Sequence, residues 1–333
     1  MNRLFLSIII VFFSLSLLSC ASPLQKAEPG TIDSDGMVVV PKGWFYMGYD
    51  EGEFNEVPEH DVFLETYRID RYEVPAKEFA AFLNEKGNPE DRYFSCDQYA
   101  TIICLNKEGK QTDSLSGEDI VRFEPRSGHE NFPANNVSWY GADSFCRWKG
   151  KRLPTEAEWE KAARGDDRRL YPWGDRLPND LNSRYNAEWK EKGLDVLLPV
   201  DALPEGLSSY GLYHMAGNVR EWINDWYRQN YCDFCDPNSA DYIASASEIL
   251  GLHGTAAHDL RNNPDVPPRY NTEGPAIGSF KVLRGGSWDD KSDRWIRSSY
   301  RFWLDPLERY GHTGFRCADD EESVEQPKGL REK

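Results

Sequence analysis

The chain has 333 residues, 39 Lys and Arg against 56 Asp and Glu, and a formal net charge of −17. Nucleic-acid backbones and anionic membrane surfaces are gripped by clustered Lys and Arg, so this balance excludes both as partners; no basic run exceeds Lys151-Arg152 or Arg168-Arg169. Only 39% of residues are hydrophobic, but 11 Trp and 17 Tyr supply large rings for a sizeable core, in one large domain or two ordinary ones.

Taken in chain order, Asn2-Arg3 and the apolar run Leu4 to Leu18 predict an export signal over residues 1–20, because the run is too short and too near the terminus for a retained span. It ends in "LLSC". That ending resembles the lipobox of bacterial lipoproteins, which implies cleavage before Cys20 and membrane anchoring through a lipid on its sulfur. Ala21 carries no retention acid, which by the same resemblance favours the outer membrane or periplasmic face of a bacterial envelope. Residues 21–36, polar and containing Pro and Gly, read as a tether, and the folded part starts near Met37.

"MVVVPKGWFYMG" at 37–48 combines β-branched and aromatic residues around Pro41-Lys42-Gly43, which predicts a hairpin. In "HDVFLETYRIDRYEV", residues 60–74, Val62, Leu64, Tyr67 and Ile69 alternate with polar neighbours, as in a half-buried strand or pair. Pro75 opens a helix with Phe79, Phe82 and Leu83 on one face. Residues 87–128 lose periodicity and read as a surface insertion. Ser138 is placed to cap a helix through Trp139, Phe145 and Trp148 that stops near Gly150, and Thr155 with Glu158 forms a capping box before Trp159, Ala162 and Ala163, with Gly165 just beyond. Residues 170–226 are mostly turns, while "LRGGSW" and "TGFRCA" read as late strands; a charged tail occupies 319–333. Without an internal repeat or strand-helix-strand alternation, residues 37–318 read as one irregular α+β domain.

Six cysteines follow Cys20, an even number that favours disulfides in an exported chain while leaving fifteen complete pairings open. Spacing favours Cys96 with Cys104 and Cys232 with Cys235, leaving Cys146 and Cys317. Cys232, Cys235, His253 and His258 also have nearly the spacing of a structural zinc site, although an exported chain favours the small disulfide.

"MVVVPKGWFYMG", "PEHDVFLETYRIDRYEV", "NNVSWYGADSFCRWKGKRLPTEAEWEKAARG", "YPWGD", "YGLYHMAGNVREWINDWY", "VLRGGSWDD" and "GFRCA" resemble, in order, signature segments of the formylglycine-generating enzyme and sulfatase-modifying factor family. The resemblance spans Met37 to Ala318 and implies a C-type-lectin-like fold with little regular secondary structure, and a bridge between Cys146 and Cys317. Family enzymes bind copper through two cysteines shortly after the Arg-Gly-Gly-Ser turn. Laid on that pattern, the positions here are Asp290 and Trp295, so the frame of Arg284 and Ser287 is retained without the thiolates a soft Cu(I) centre prefers, and copper is not expected. Asp289, Asp290 and Asp293 read as a solvated charged turn, since Lys291 and Arg294 stand among them.

Calcium is a further cofactor the resemblance implies. One candidate set is Gly217, Val219 and Glu221, with His214 where the family has an acid or amide and Arg220 where it usually has Trp; the other is Asn182 with Asp195. Two functions follow. One is a non-catalytic binding or structural component holding a protein, peptide or glycan, as in lipoproteins of gliding and secretion machinery that resemble this family and lack its cysteines. The alternative is a formylglycine-generating or related oxidase acting on a cysteine-containing protein substrate, with Cys232, Cys235, His253 and His258 as the nearest reactive groups.

Overall fold

The computed structural model describes residues 30–113, 119–229 and 274–320. The export signal with Cys20, the residues Cys232, Cys235, His253 and His258, and positions 321–333 of the tail lie outside the described residues.

The first strands are β1 (Thr31–Ile32), β2 (Met37–Val40), β3 (Gly43–Met47), β4 (His60–Leu64) and β5 (Tyr67–Asp70). The expected hairpin between β2 and β3 does not form. Instead β2 pairs with β5 and β3 with β4 in one continuous antiparallel register, Val40 opposite Tyr67 and Gly43 opposite Leu64. The two stretches form a single ribbon bent at Pro41-Lys42, and its true closing loop is 48–59. Pro41 has no N–H to give the ladder, Lys42 N–H donates to Thr66 Oγ1 at 3.2 Å, and Lys161 Nζ donates to the carbonyls of Pro41 and Gly43 at 2.8 and 3.0 Å. Pro-Lys-Gly therefore marks a corner, a break in pairing that in sequence looks the same as a turn. Val62, Leu64, Tyr67 and Ile69 face inward as their alternation predicts.

Helix α1 (Ala76–Lys86) starts after Pro75 and buries Phe79, Phe82 and Leu83. The stretch expected as a surface insertion instead holds β6 (Ile102–Leu105), β7 (Gln111–Thr112) and β8 (Arg122–Pro125) in the order β7-β6-β8. Phe94, Ile102 and Phe123 join the core beneath α1, and Cys96–Cys104 is a disulfide. Strands of two to four residues, of which β6 buries three side chains, β8 one and β7 none, are too short to register as periodicity.

Helix α2 (Trp139–Trp148) is capped by Ser138, whose Oγ accepts from Gly141 N–H, and α3 (Glu156–Arg164) by the full Thr155/Glu158 box, with Gly165 ending it. After the short α4 (Trp189–Lys192), the last strands are β9 (Arg220–Trp226), β10 (Lys281–Arg284), β11 (Phe302–Leu304), β12 (Thr313–Gly314) and β13 (Ala318–Asp320). One sheet runs β1-β2-β5-β13 and another β11-β10-β9-β12. The Cys146–Cys317 disulfide joins α2 to the residue before β13 within a core of Phe79, Phe82, Phe145 and Phe315. A second cluster packs Trp159 of α3 against Val38, Ile69, Ile223 and Val282. Disulfides belong to chains folded in an oxidising, extracytoplasmic compartment. Among the described residues no helix is long and apolar enough to cross a membrane.

Candidate functional site

Strand β10 delivers Arg284 to the Gly285-Gly286 turn. Gly286 sits at φ +70°, and a Cβ there would lie 2.6 Å from Ile296 Cγ2 and 2.7 Å from the Trp295 carbonyl, so the loop closes on itself only because the position is glycine. Arg284 is fully buried. Its Nη1 donates to Glu156 Oε1 (3.2 Å) and Ser299 O (3.1 Å), and its Nη2 to Glu160 Oε2 (2.5 Å) and Ser298 O (2.7 Å). Arg301 on Glu156 and Arg164 on Glu160 extend this into a buried chain of alternating charge under the turn. Arg284 thus holds two carbonyls of the 298–299 segment, and its two glutamate partners, Glu156 and Glu160, stand four apart on a helix of buried residues, a spacing that was the available sequence signal.

The loop after the turn is not the solvated charged turn expected. Asp289, Lys291 and Arg294 are exposed, but Asp290 is buried. One Asp290 oxygen accepts from Ser287 N–H at 2.6 Å and Ser287 Oγ at 3.2 Å, while the other pairs with the guanidinium of Arg220, which lies over the Phe302 ring. Burial raises the Asp290 carboxyl above its ordinary value, and Arg220 and the Ser287 donors pull against that rise. The carboxylate turns inward because Ser287 N–H and Arg220 need an acceptor there. Trp295 is half-buried, and Trp288 is buried with its indole N–H on Gly311 O at 3.2 Å. Neither position assigned by the resemblance to copper-binding cysteines fits that metal: Asp290 is a hard ligand with both oxygens engaged, and an indole offers no lone pair.

The calcium candidates do not form an open oxygen cage. Glu221 Oε1 accepts from Arg316 Nη2 at 2.7 Å, and Oε2 accepts from Arg316 Nε at 2.7 Å and the Trp159 indole at 2.8 Å. Val219 contributes its N–H to Glu73, and Gly217 N–H donates to Gly285 O at 2.8 Å, which ties this loop to the Arg-Gly-Gly-Ser turn. Asn182 Oδ1 accepts from Asn179 N–H, and the Asp195 carbonyl accepts from Arg184. His214 is buried, with Nε2 3.1 Å from Pro199 O and its pKa pushed by burial to about 4, so it is neutral near pH 7. No group of three or more His, Cys, Asp or Glu able to hold a metal occurs among the described residues. Arg220 turns to Asp290 rather than to these loops, a partnership across 70 positions that sequence reasoning missed.

These features define an irregular α+β, lectin-like domain organised around a buried, charge-braced glycine turn. The chain belongs to the family described as sulfatase-modifying factor enzyme 1-like domain, which matches residues 22–321. A formylglycine-generating enzyme of Thermomonospora curvata is 34% identical over 89% of this chain and 97% of that protein. A protein of Chlamydia caviae named serine/threonine-protein kinase pkn1 is 32% identical over 88% of this chain but 39% of its own length, so the chain spans about two fifths of that relative. The solved structure of PvdO from Pseudomonas aeruginosa shares the fold, with a TM-score of 0.58 at 22% identity over 88% of this chain and 99% of that one.

Proposed function

We propose that this chain is an exported, lipid-anchored protein of a bacterial envelope whose sulfatase-modifying-factor-like domain holds a protein, peptide or glycan partner and does not oxidise cysteine. The observation that carries this reading is the ion pair of Arg220 with the buried Asp290, which stands on the loop after Arg284 and Ser287. Oxygen activation by Cu(I) calls for two thiolates at adjoining positions, whereas here a carboxylate is neutralised by a guanidinium and held by a serine. A closed pair of opposite charges stiffens the loop and offers no reactive atom, which suits a rigid surface for recognition.

The test uses the full chain in mild detergent, with copper, oxygen and a cysteine peptide of the sulfatase type. Mass spectrometry is expected to return the peptide unchanged; an aldehyde product would establish the oxidase reading instead. A thiol count under denaturing conditions adds a second readout, with no free thiol expected from Cys232 and Cys235. For the anchor, metabolic labelling with a fatty acid is expected to mark the protein and to fail in Cys20→Ser.

A further inference from the structure

Some members of this family bind calcium, and the residues present here do not fit that ion. We propose that an arginine side chain takes its place as a built-in cation: Arg184, for the turns around Asn182, Asp195 and Gly217.

A divalent ion in such a loop presents one positive centre to oxygens from separate segments. A guanidinium can do the same with five fixed donors and a permanent charge. Arg184 Nε donates to Val196 O at 2.7 Å, and Nη2 donates to Asp195 O. The same residue's carbonyl accepts from Asn218 N–H at 2.8 Å, and its neighbour Ser183 donates through Oγ to Ala216 O at 3.0 Å. Asn218 closes the third side: its Oδ1 accepts from Leu198 N–H at 3.0 Å. Three turns, 179–184, 195–198 and 216–219, are thus joined through Arg184 and its neighbours. The packing is tight, since any Cβ on Gly217 would collide with Arg184 O and one on Gly206 with Asn182 O.

At the other candidate set Arg316, a residue of the family segment "GFRCA", holds Glu221, and the departure from a calcium loop is His214. Besides its two bonds to Glu221, Arg316 donates to Asp70 O (3.1 Å), Arg71 O (3.2 Å) and Tyr213 O (2.7 Å). The Arg316 and Glu221 side chains are fully excluded from solvent. His214, beside Tyr213, adds a ring where a calcium loop calls for an oxygen.

The consequence is a domain whose loops keep their order without divalent ions. Thermal unfolding of the full chain in mild detergent, after dialysis against EDTA and again with excess calcium, is expected to give midpoints within about 1 °C of each other. Native mass spectrometry is expected to find no retained calcium. Arg184→Met removes both guanidinium bonds and is expected to lower the midpoint by roughly 4–8 °C, with Arg184→Lys falling between and calcium restoring neither. A calcium-dependent rise of several degrees in the unaltered protein, or one retained ion per chain, overturns the proposal, as does an Arg184→Met midpoint equal to that of the parent. Should Arg184→Met not fold, the chelation and mass measurements on the unaltered chain still decide. None of these readouts depends on whether the protein catalyses a reaction, so this inference and the proposed function stand or fall separately.

Discussion

Glu160 Oε2 lies 2.5 Å from Arg284 Nη2, with neither side chain exposed to solvent. Burial works to raise the Glu160 carboxyl, but Arg284 and Arg164 outweigh it and hold it below its ordinary value. Glu160 also accepts from Gly48 N–H at 2.8 Å, so helix α3, the ribbon loop and the glycine turn share one carboxylate. Removing one member of a buried pair leaves the other charge uncompensated. Glu160→Gln is expected to cost about 3–5 kcal/mol in urea unfolding; a loss below 1 kcal/mol would show that the chain of charge is not what braces the turn.

The buried histidines predict acid sensitivity. Burial lowers His214 to about 4 and, with a smaller effect from Arg220, His312 to about 3. A folded value below the unfolded one means the stabilising contribution is complete above about pH 6.5 and is lost as pH falls through the folded values. Between pH 6.5 and 5 each histidine is expected to withdraw on the order of 1.5 kcal/mol, and His312→Gln should flatten that decline in denaturant midpoints. Asp225 has the opposite sign: burial and then Glu156 raise it to about 7, so its contribution is lost as pH rises through that value. Asp225→Asn should therefore make the acid decline steeper; an unchanged slope would remove Asp225 from the balance.

The two disulfides differ in what they constrain. Cys146–Cys317 closes a separation of 171 residues and Cys96–Cys104 one of 8. Loop-closure entropy grows with the logarithm of loop length, so replacing the first pair by serine should cost about 2.7 kcal/mol more than replacing the second. Equal midpoints for the two double variants would contradict this entropic account.

Gly286→Ala tests the glycine turn directly. With φ at +70° and Ile296 and Trp295 in the way, the substitution is expected to cost about 2–4 kcal/mol. Gly36→Ala, at φ +80° with nothing within 4 Å of the new Cβ, should cost only about 1 kcal/mol. If the two variants unfold together, the close approach of the 295–296 backbone is not limiting.

Much of the scaffold was legible in residue order. Ser138 and Thr155 announced their helices because a cap is a local hydrogen bond, and the inward faces of β4 and β5 followed from alternation. The corner at Pro41-Lys42 reads as a hairpin in sequence because proline and glycine report that pairing stops, not where the chain goes next. Residues 87–128 read as peripheral in sequence because their strands are too short for a period, yet Phe94 and Phe123 fill the core.

By itself, the sequence determined the helix starts, the inward faces, the family frame around Arg284 and Ser287, and the absence of sulfur at Asp290 and Trp295. Only the tertiary structure decided that Asp290 turns inward to Arg220, that Glu221 belongs to Arg316, and that Arg184 holds the carbonyls of Asp195 and Val196. The physical reason is one of distance along the chain and of the groups involved. Caps and alternation act between near neighbours, whereas a buried charge takes whichever partner the packing of separate strands brings within reach, and a backbone carbonyl acceptor leaves no mark on residue identity.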